Sequence, residues 1–134
     1  MPLAVDTNVL ARALVNDGTD QSKTALRCIK ENQIWISETV LLETEWLLRS
    51  QMGLRRAAVN NVMSKLLSLE NVLFSDIQKV ATAISAHDAG LDFADALHLL
   101  SALHCEAMIS FDRVFAKTRR NNPRRLASSR ALNS

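Results

Sequence analysis

Residues that break or link secondary structure are scarce in this sequence, with three glycines and two prolines among 134 residues. Long linkers are therefore excluded, and the length suits one domain with a single core. No run of about 18 uncharged apolar residues is present, so no transmembrane helix is predicted. We expect a single domain over residues 1–134, of which about 117–134 form a basic C-terminal tail.

Cysteine is also scarce, because only Cys28 and Cys105 occur. Their separation matches no metal-binding motif, and two cysteines do not make a disulfide framework. We expect two reduced thiols packed within helices. The polar segment 6–8 follows the N-terminus too early for a signal peptide, so we also expect a cytoplasmic protein.

Acidic residues are absent after Asp112. The first 116 residues hold 10 basic against 14 acidic groups, a net charge of −4, whereas the remainder carries +6. An acidic body with a basic tail is typical of a protein that binds a polyanion, although a solvated, frayed terminus would have the same composition. The basic residues of the tail are Lys117, Arg119, Arg120, Arg124, Arg125 and Arg130.

Short apolar segments alternate with helical patterns along the chain. This alternation predicts an α/β fold with a mostly parallel sheet covered by helices on both faces. In such sheets, active sites lie beyond the carboxyl ends of the strands, where Asp6 and Asp112 are expected. The predicted strands are 3–5, 34–36, 72–74 and 107–110, and the predicted helices are 8–15, 21–31, 37–51, 55–69, 76–87 and 92–105.

Two glutamates in the predicted helix 37–51 differ in their expected surroundings. At about 100° per residue, Glu43 projects between Trp46 and Leu47 on an apolar flank. A carboxylate there requires a cation, a donor or a cleft wall, unless it reaches water at the edge of the core. Glu45 falls on the polar side, four residues before Arg49, which predicts an exposed ion pair.

A second pair of acids begins the apolar segment DFADALHLLSALHC. Asp92 is predicted to be the N-cap, and Asp95 stands three residues later, as in a capping box. Capping explains Asp95 less well, because apolar residues flank it on the helical wheel. His98 and His104 do not share one face at ligand spacing, so they are interpreted as core or edge groups.

The acids that are hardest to explain structurally are expected at one edge of the sheet. Asp112 alone could be a helix cap, but a group of carboxylates is mutually repulsive without a cation. Oxygen donors alone favour Mg²⁺ or Mn²⁺, which can activate water and neutralise charge on a phosphodiester. The set consists of Asp6, Glu43, Asp95 and Asp112.

Four segments of the chain, VDTNVL, LLETEWLL, DFADALHL and SFDRVF, resemble in order and separation the acidic motifs of PIN-domain ribonucleases. The chain is most similar to the VapC-type toxins of bacterial toxin–antitoxin pairs, over about residues 3–116. The resemblance implies that the four acids bind metal and catalyse, and that Asn8 orients Asp6. It favours Glu43 over Glu45, because the aromatic residue of the family follows three positions later. Ser110 stands where threonine is frequent in the family.

The resemblance also implies a three-layer α/β/α sandwich with a mostly parallel sheet of four to five strands. It implies a Mg²⁺- or Mn²⁺-dependent endoribonuclease that forms homodimers, is inhibited by a VapB-like antitoxin and acts on structured RNA, tRNA included. Two alternatives stay open: a structure-selective DNA nuclease with the same acidic site, and a non-catalytic metal-binding interaction module. From charge alone, contacts to RNA phosphates are predicted for Arg119, Arg120, Arg124 and Arg125.

Overall fold

The computed structural model describes residues 1–103 and 105. Within them, a parallel sheet is formed by the strands β1 (Leu3–Ala4), β2 (Ile34–Ile36) and β3 (Val72–Phe74). The strand order is β1-β2-β3, so β2 is the central strand. The predicted α/β class with a parallel sheet is confirmed. The predicted strand 107–110 lies outside the described residues.

Helices separate and follow these strands. The described helices are α1 (Thr7–Val15), α2 (Asp20–Glu31), α3 (Glu38–Ser50), α4 (Arg56–Leu67), α5 (Ile77–Asp88) and α6 (Phe93–Ser101). Five of them agree with the predicted bounds to within two residues. The prediction that the last one continues to Cys105 is wrong, because the backbone N–H of Ala102 closes α6 by bonding to the carbonyls of His98 and Leu99.

A polar residue follows each strand closely and begins the next helix. Asp6, Ser37 and Asp76 are the N-caps of α1, α3 and α5, and each side chain accepts a backbone N–H of the first turn. Such a cap stabilises its helix by about 1 kcal/mol. Because the strands are parallel, these three helix starts lie at the same edge of the sheet.

The core lies against the central strand. Ile34 and Ile36 are almost completely buried, and Leu41 and Phe93, from α3 and α6, are buried in the same cluster. Trp35 alternates to the other face of β2 and remains 38% exposed. The helices that carry the candidate acids are thus anchored by apolar packing behind the edge of the sheet.

The surface differs from expectation at the cysteines. Cys28 and Cys105 are both exposed, so the expectation of packed thiols is wrong. Among the described residues, no helix has the length and hydropathy needed to cross a membrane.

Candidate functional site

Asp6 stands at the exposed end of β1, where the backbone turns into α1. Its Oδ1 accepts the backbone N–H of Val9 at 3.0 Å, which fixes the carboxylate over the first turn. Within the described part of the chain, its second oxygen accepts no hydrogen bond. Asp6 therefore has a structural role as a cap and still offers an oxygen to a ligand.

Glu43 is joined to this edge by a hydrogen bond. The hydroxyl of Thr7, the residue after Asp6, donates to Oε2 of Glu43 at 2.8 Å. The contact links the start of α1 to the middle of α3, which pack against each other. The structure thus brings Glu43 to Thr7, the neighbour of Asp6 in the chain. The role of Thr7 was missed, although a hydroxyl directly after a candidate metal-binding aspartate is a signal for it.

Asp95 lies in the first turn of α6 and is partly buried. Its backbone N–H donates to Oδ1 of Asp92 at 3.1 Å, so the predicted N-cap is confirmed. Glu43 shares a cleft of about 230 Å³ with Asp92 and Ala94. The start of α6 therefore adjoins Glu43 at Ala94, the residue before Asp95.

Asn8 is exposed in the first turn of α1. With Asp6 it lines a second cleft, of about 490 Å³, which continues between α1 and α2 past Arg12. This places Asn8 next to the carboxylate that it is predicted to orient.

The remaining predicted site residues cannot be placed. Asp112, Ser110 and the tail arginines Arg119, Arg120, Arg124 and Arg125 lie outside the described residues, as does His104. In residues 1–103 and 105, no three acidic, histidine or cysteine side chains gather closely enough to hold a metal ion. The donors that are described are carboxylates, exposed in Asp6 and Glu43 and partly buried in Asp95, and they suit a hard cation, but the four-acid site stays a prediction.

The two glutamates of α3 have the opposite burial to that expected. Glu43 is exposed and Trp46 is 51% exposed, whereas Glu45 is only 4% exposed. The predicted ion pair exists, with Arg49 Nε 2.9 Å from Oε2 of Glu45, but the prediction that it is an exposed pair is wrong for the carboxylate. Glu45 is tolerated inside because polar groups meet it there, chiefly the guanidinium of Arg49.

One of these groups is His87, whose Nε2 lies 3.7 Å from Oε2 of Glu45. Its Nδ1 is 2.6 Å from Oδ1 of Asn60, and the amide of Asn60 donates to Asp88 at 3.2 Å. Because the Asn60 oxygen is an acceptor, Nδ1 carries the proton of the neutral ring. Burial lowers the pKa of His87, although Glu45 opposes that shift. This buried network links α3, α4 and α5.

Comparison with known proteins identifies the fold. Residues 3–121 match the family model of the PIN domain. No curated protein and no solved structure matches the chain. The PIN domain is a nuclease fold that generally depends on divalent metal ions, typically Mg²⁺.

Proposed function

This chain belongs to the PIN domain family, and on that basis we propose that it is a metal-dependent endoribonuclease that acts as the toxin of a toxin–antitoxin pair. The observation that carries the nuclease proposal is the hydrogen bond from Thr7 to Glu43. It holds Glu43 against Thr7, which directly follows Asp6 in the chain, at the sheet edge where α/β enzymes place their chemistry. The proposal assigns metal binding and catalysis to Asp6, Glu43, Asp95 and Asp112.

The chemistry follows from the donor set. A bound Mg²⁺ or Mn²⁺ would supply Lewis acidity and an activated water for hydrolysis of a phosphodiester. Thr7 helps to fix the orientation of Glu43, since its hydroxyl donates to Oε2 and leaves Oε1 without a hydrogen bond among the described residues. The cap bond to Val9 fixes Asp6 in the same way. These bonds pre-organise the carboxylates before substrate and metal arrive.

The partners proposed are RNA, tRNA included, a VapB-like antitoxin and a second copy of the chain. Segments 40–48, in α3, and 57–69, in α4 and the turn after it, carry apolar residues for a dimer interface and an antitoxin groove. Leu69 and Met52, which follow these helices, are 42% and 37% exposed. Light scattering at micromolar concentration should give a dimer, and a monomer that does not change when the neighbouring gene product is added would contradict both interfaces.

The decisive experiment compares matched RNA and DNA hairpins in the presence of Mg²⁺ or Mn²⁺. We expect cleavage of the RNA, with 5′-phosphate and 3′-hydroxyl products, and no cleavage by Asp6→Asn, which removes one charge and little volume. Cleavage of the DNA alone would favour the DNA nuclease. Metal binding without cleavage of either polymer would favour the non-catalytic interaction module.

The toxin role needs a separate test in cells. Expression of the wild-type chain should arrest growth, and Asp6→Asn should not. Sequencing the 5′ ends of cellular RNA after induction should show new ends that depend on Asp6. Growth arrest by both proteins would contradict a role for the nuclease in toxicity.

A further inference from the structure

Three exposed side chains form a stripe along one face of α3. Glu43, Trp46 and Arg49 are spaced three residues apart, so they lie next to one another along the helix. All three line the cleft of about 230 Å³ that separates α3 from the start of α6. Leu42 and Ala94 supply apolar walls. The cleft therefore begins at a proposed metal ligand and continues past an aromatic ring to a cation.

The aromatic member of the stripe is unusually accessible. Trp46 is 51% exposed, whereas Leu41 and Leu48 on the opposite side of the same helix are buried. The indole is thus not required to fill the core. Every nucleobase has a π face, and stacking on an exposed aromatic ring is a general means of holding single-stranded nucleic acid.

The cation of the stripe, Arg49, is held in place by a buried carboxylate. Arg49 Nε donates to Oε2 of Glu45 at 2.9 Å, and the side chain of Arg49 is still 43% exposed. Glu45 is itself buried against His87. In the described part of the chain, the terminal amino groups of Arg49 make no hydrogen bond, so its outer edge can donate to a phosphate.

We propose that this cleft binds a nucleotide adjoining the scissile phosphate, with its base stacked on Trp46 and its phosphate bound by Arg49. The inference deepens the proposed function and rests on it for the scissile phosphate. The other charged residues that line the cleft, Glu43, Glu45 and Asp92, are acidic, so Arg49 is the one cation of the described lining and the group that can bind the phosphate. The cleft would thereby set which position of the strand reaches the acids.

Tryptophan fluorescence tests the stacking directly, because the chain has only two tryptophans. In a Trp35→Phe background, Trp46 is the only emitter. Addition of a single-stranded RNA decamer of mixed sequence, without divalent metal, should quench it. In Trp46→Phe, the emission of Trp35 should not change. Unchanged Trp46 emission at RNA concentrations that saturate binding by anisotropy, or no binding at all, would overturn the proposal.

Affinities measured by anisotropy give a second test. Trp46→Ala should weaken binding by roughly five- to a hundredfold, and Trp46→Phe much less, because phenylalanine still stacks. Arg49→Gln should make the slope of log affinity against log salt shallower by about 0.7. Arg27→Gln, at an exposed site on α2, is the matched control and should leave the slope unchanged.

Thermal melting of each variant checks that the loss of affinity is not a loss of fold, which matters for Arg49→Gln because Glu45 is buried. Equal affinities for the wild type and Trp46→Ala would remove the stacking role. The two proposals fail separately. Cleavage of RNA without quenching of Trp46 would support the nuclease proposal and overturn the subsite. Quenching without cleavage would support binding of a base at Trp46 and overturn the nuclease proposal.

Discussion

At the scale of single residues, Glu43 and Glu45 show how two positions along one helix separate two roles. Successive residues turn by about 100°, so side chains two positions apart point to nearly opposite sides. Glu43 faces the exposed edge with Thr7, and Glu45 faces His87 inside. Burial of a carboxylate costs free energy unless the group is paired, so Glu45 must be stabilised by its partners. Glu43 is exposed and is available to a ligand.

This separation predicts different effects for the two glutamates. Glu43→Gln should abolish cleavage and change the free energy of unfolding by less than about 0.5 kcal/mol, as for most exposed positions. Glu45→Ala should lower the free energy of unfolding by roughly 1–3 kcal/mol, since it leaves Arg49 without its acceptor. Urea unfolding and a cleavage assay measure both. If Glu45→Gln abolishes cleavage while Glu43→Gln does not, the wrong glutamate has been assigned.

Thr7 is predicted to act on the metal through Glu43. Thr7→Val keeps the shape of the side chain but removes the hydroxyl that donates to Oε2. Outer partners of this kind are worth about 10- to 100-fold in metal affinity, so titration calorimetry should show weaker Mg²⁺ or Mn²⁺ binding by that factor. Thr82→Val is the control, because the hydroxyl of Thr82 bonds only within α5. Equal metal affinity for Thr7→Val and wild type would remove this positioning role.

At the scale of elements, the sequence predicted most of the framework. The bounds of β2 and β3 are the same as those of the predicted segments. They were predictable because β-branched and aromatic residues in these segments are flanked by residues typical of turns and helix caps. Asp92 caps its helix as predicted, and Ser37 and Asp76 also cap helices. The match of residues 3–121 to the PIN domain agrees with the predicted α/β class.

The burial of Glu45 could not be predicted, because its cause lies elsewhere in the chain. A helical wheel shows which residues share a side, but it does not show which polar groups other helices bring there. Asn60 and His87 are far from Glu45 in sequence, and only the packing of α4 and α5 places them beside α3. The same holds for the bond from Thr7, which depends on the contact of α1 with α3.

The network around His87 predicts how stability depends on pH. The folded-state pKa of His87 lies below its ordinary value of 6.5, chiefly because burial disfavours the charged ring. Below pH 6.5 the unfolded chain binds a proton that the folded chain does not. The free energy of unfolding therefore decreases as the pH is lowered, by at most about 1.4 kcal/mol per pH unit. The charged groups that act on the ring are Glu45, Arg56, Asp92 and Arg49.

Urea unfolding between about pH 5 and pH 8 measures this slope. His87→Gln should flatten the dependence below pH 6.5, because it removes the titrating group and keeps polar atoms for Asn60. His98→Gln, at an exposed position on α6, should leave it unchanged. A slope that persists in His87→Gln would assign the pH dependence to another group.

At the scale of the whole molecule, the net negative charge of the body opposes binding of the proposed substrate. Residues 1–116 carry a net charge of −4, yet the proposed substrate is a polyanion. The proposed metal ions would offset part of this charge, and Arg49 supplies one local positive group at the cleft. The largest excess of positive charge lies in the tail, which carries +6.

The last prediction therefore concerns the tail, and it depends only on charge because these residues lie outside the described part. Contacts to phosphates give affinity without sequence specificity and weaken as salt rises. Replacing the four arginines by glutamine should weaken RNA binding and make the salt slope shallower by about 0.7 for each lost contact. A control with Lys23, Arg27 and Lys30 of α2 replaced by glutamine should keep the wild-type slope. An unchanged slope in the tail variant would assign the tail to assembly or antitoxin binding. The replaced residues are Arg119, Arg120, Arg124 and Arg125.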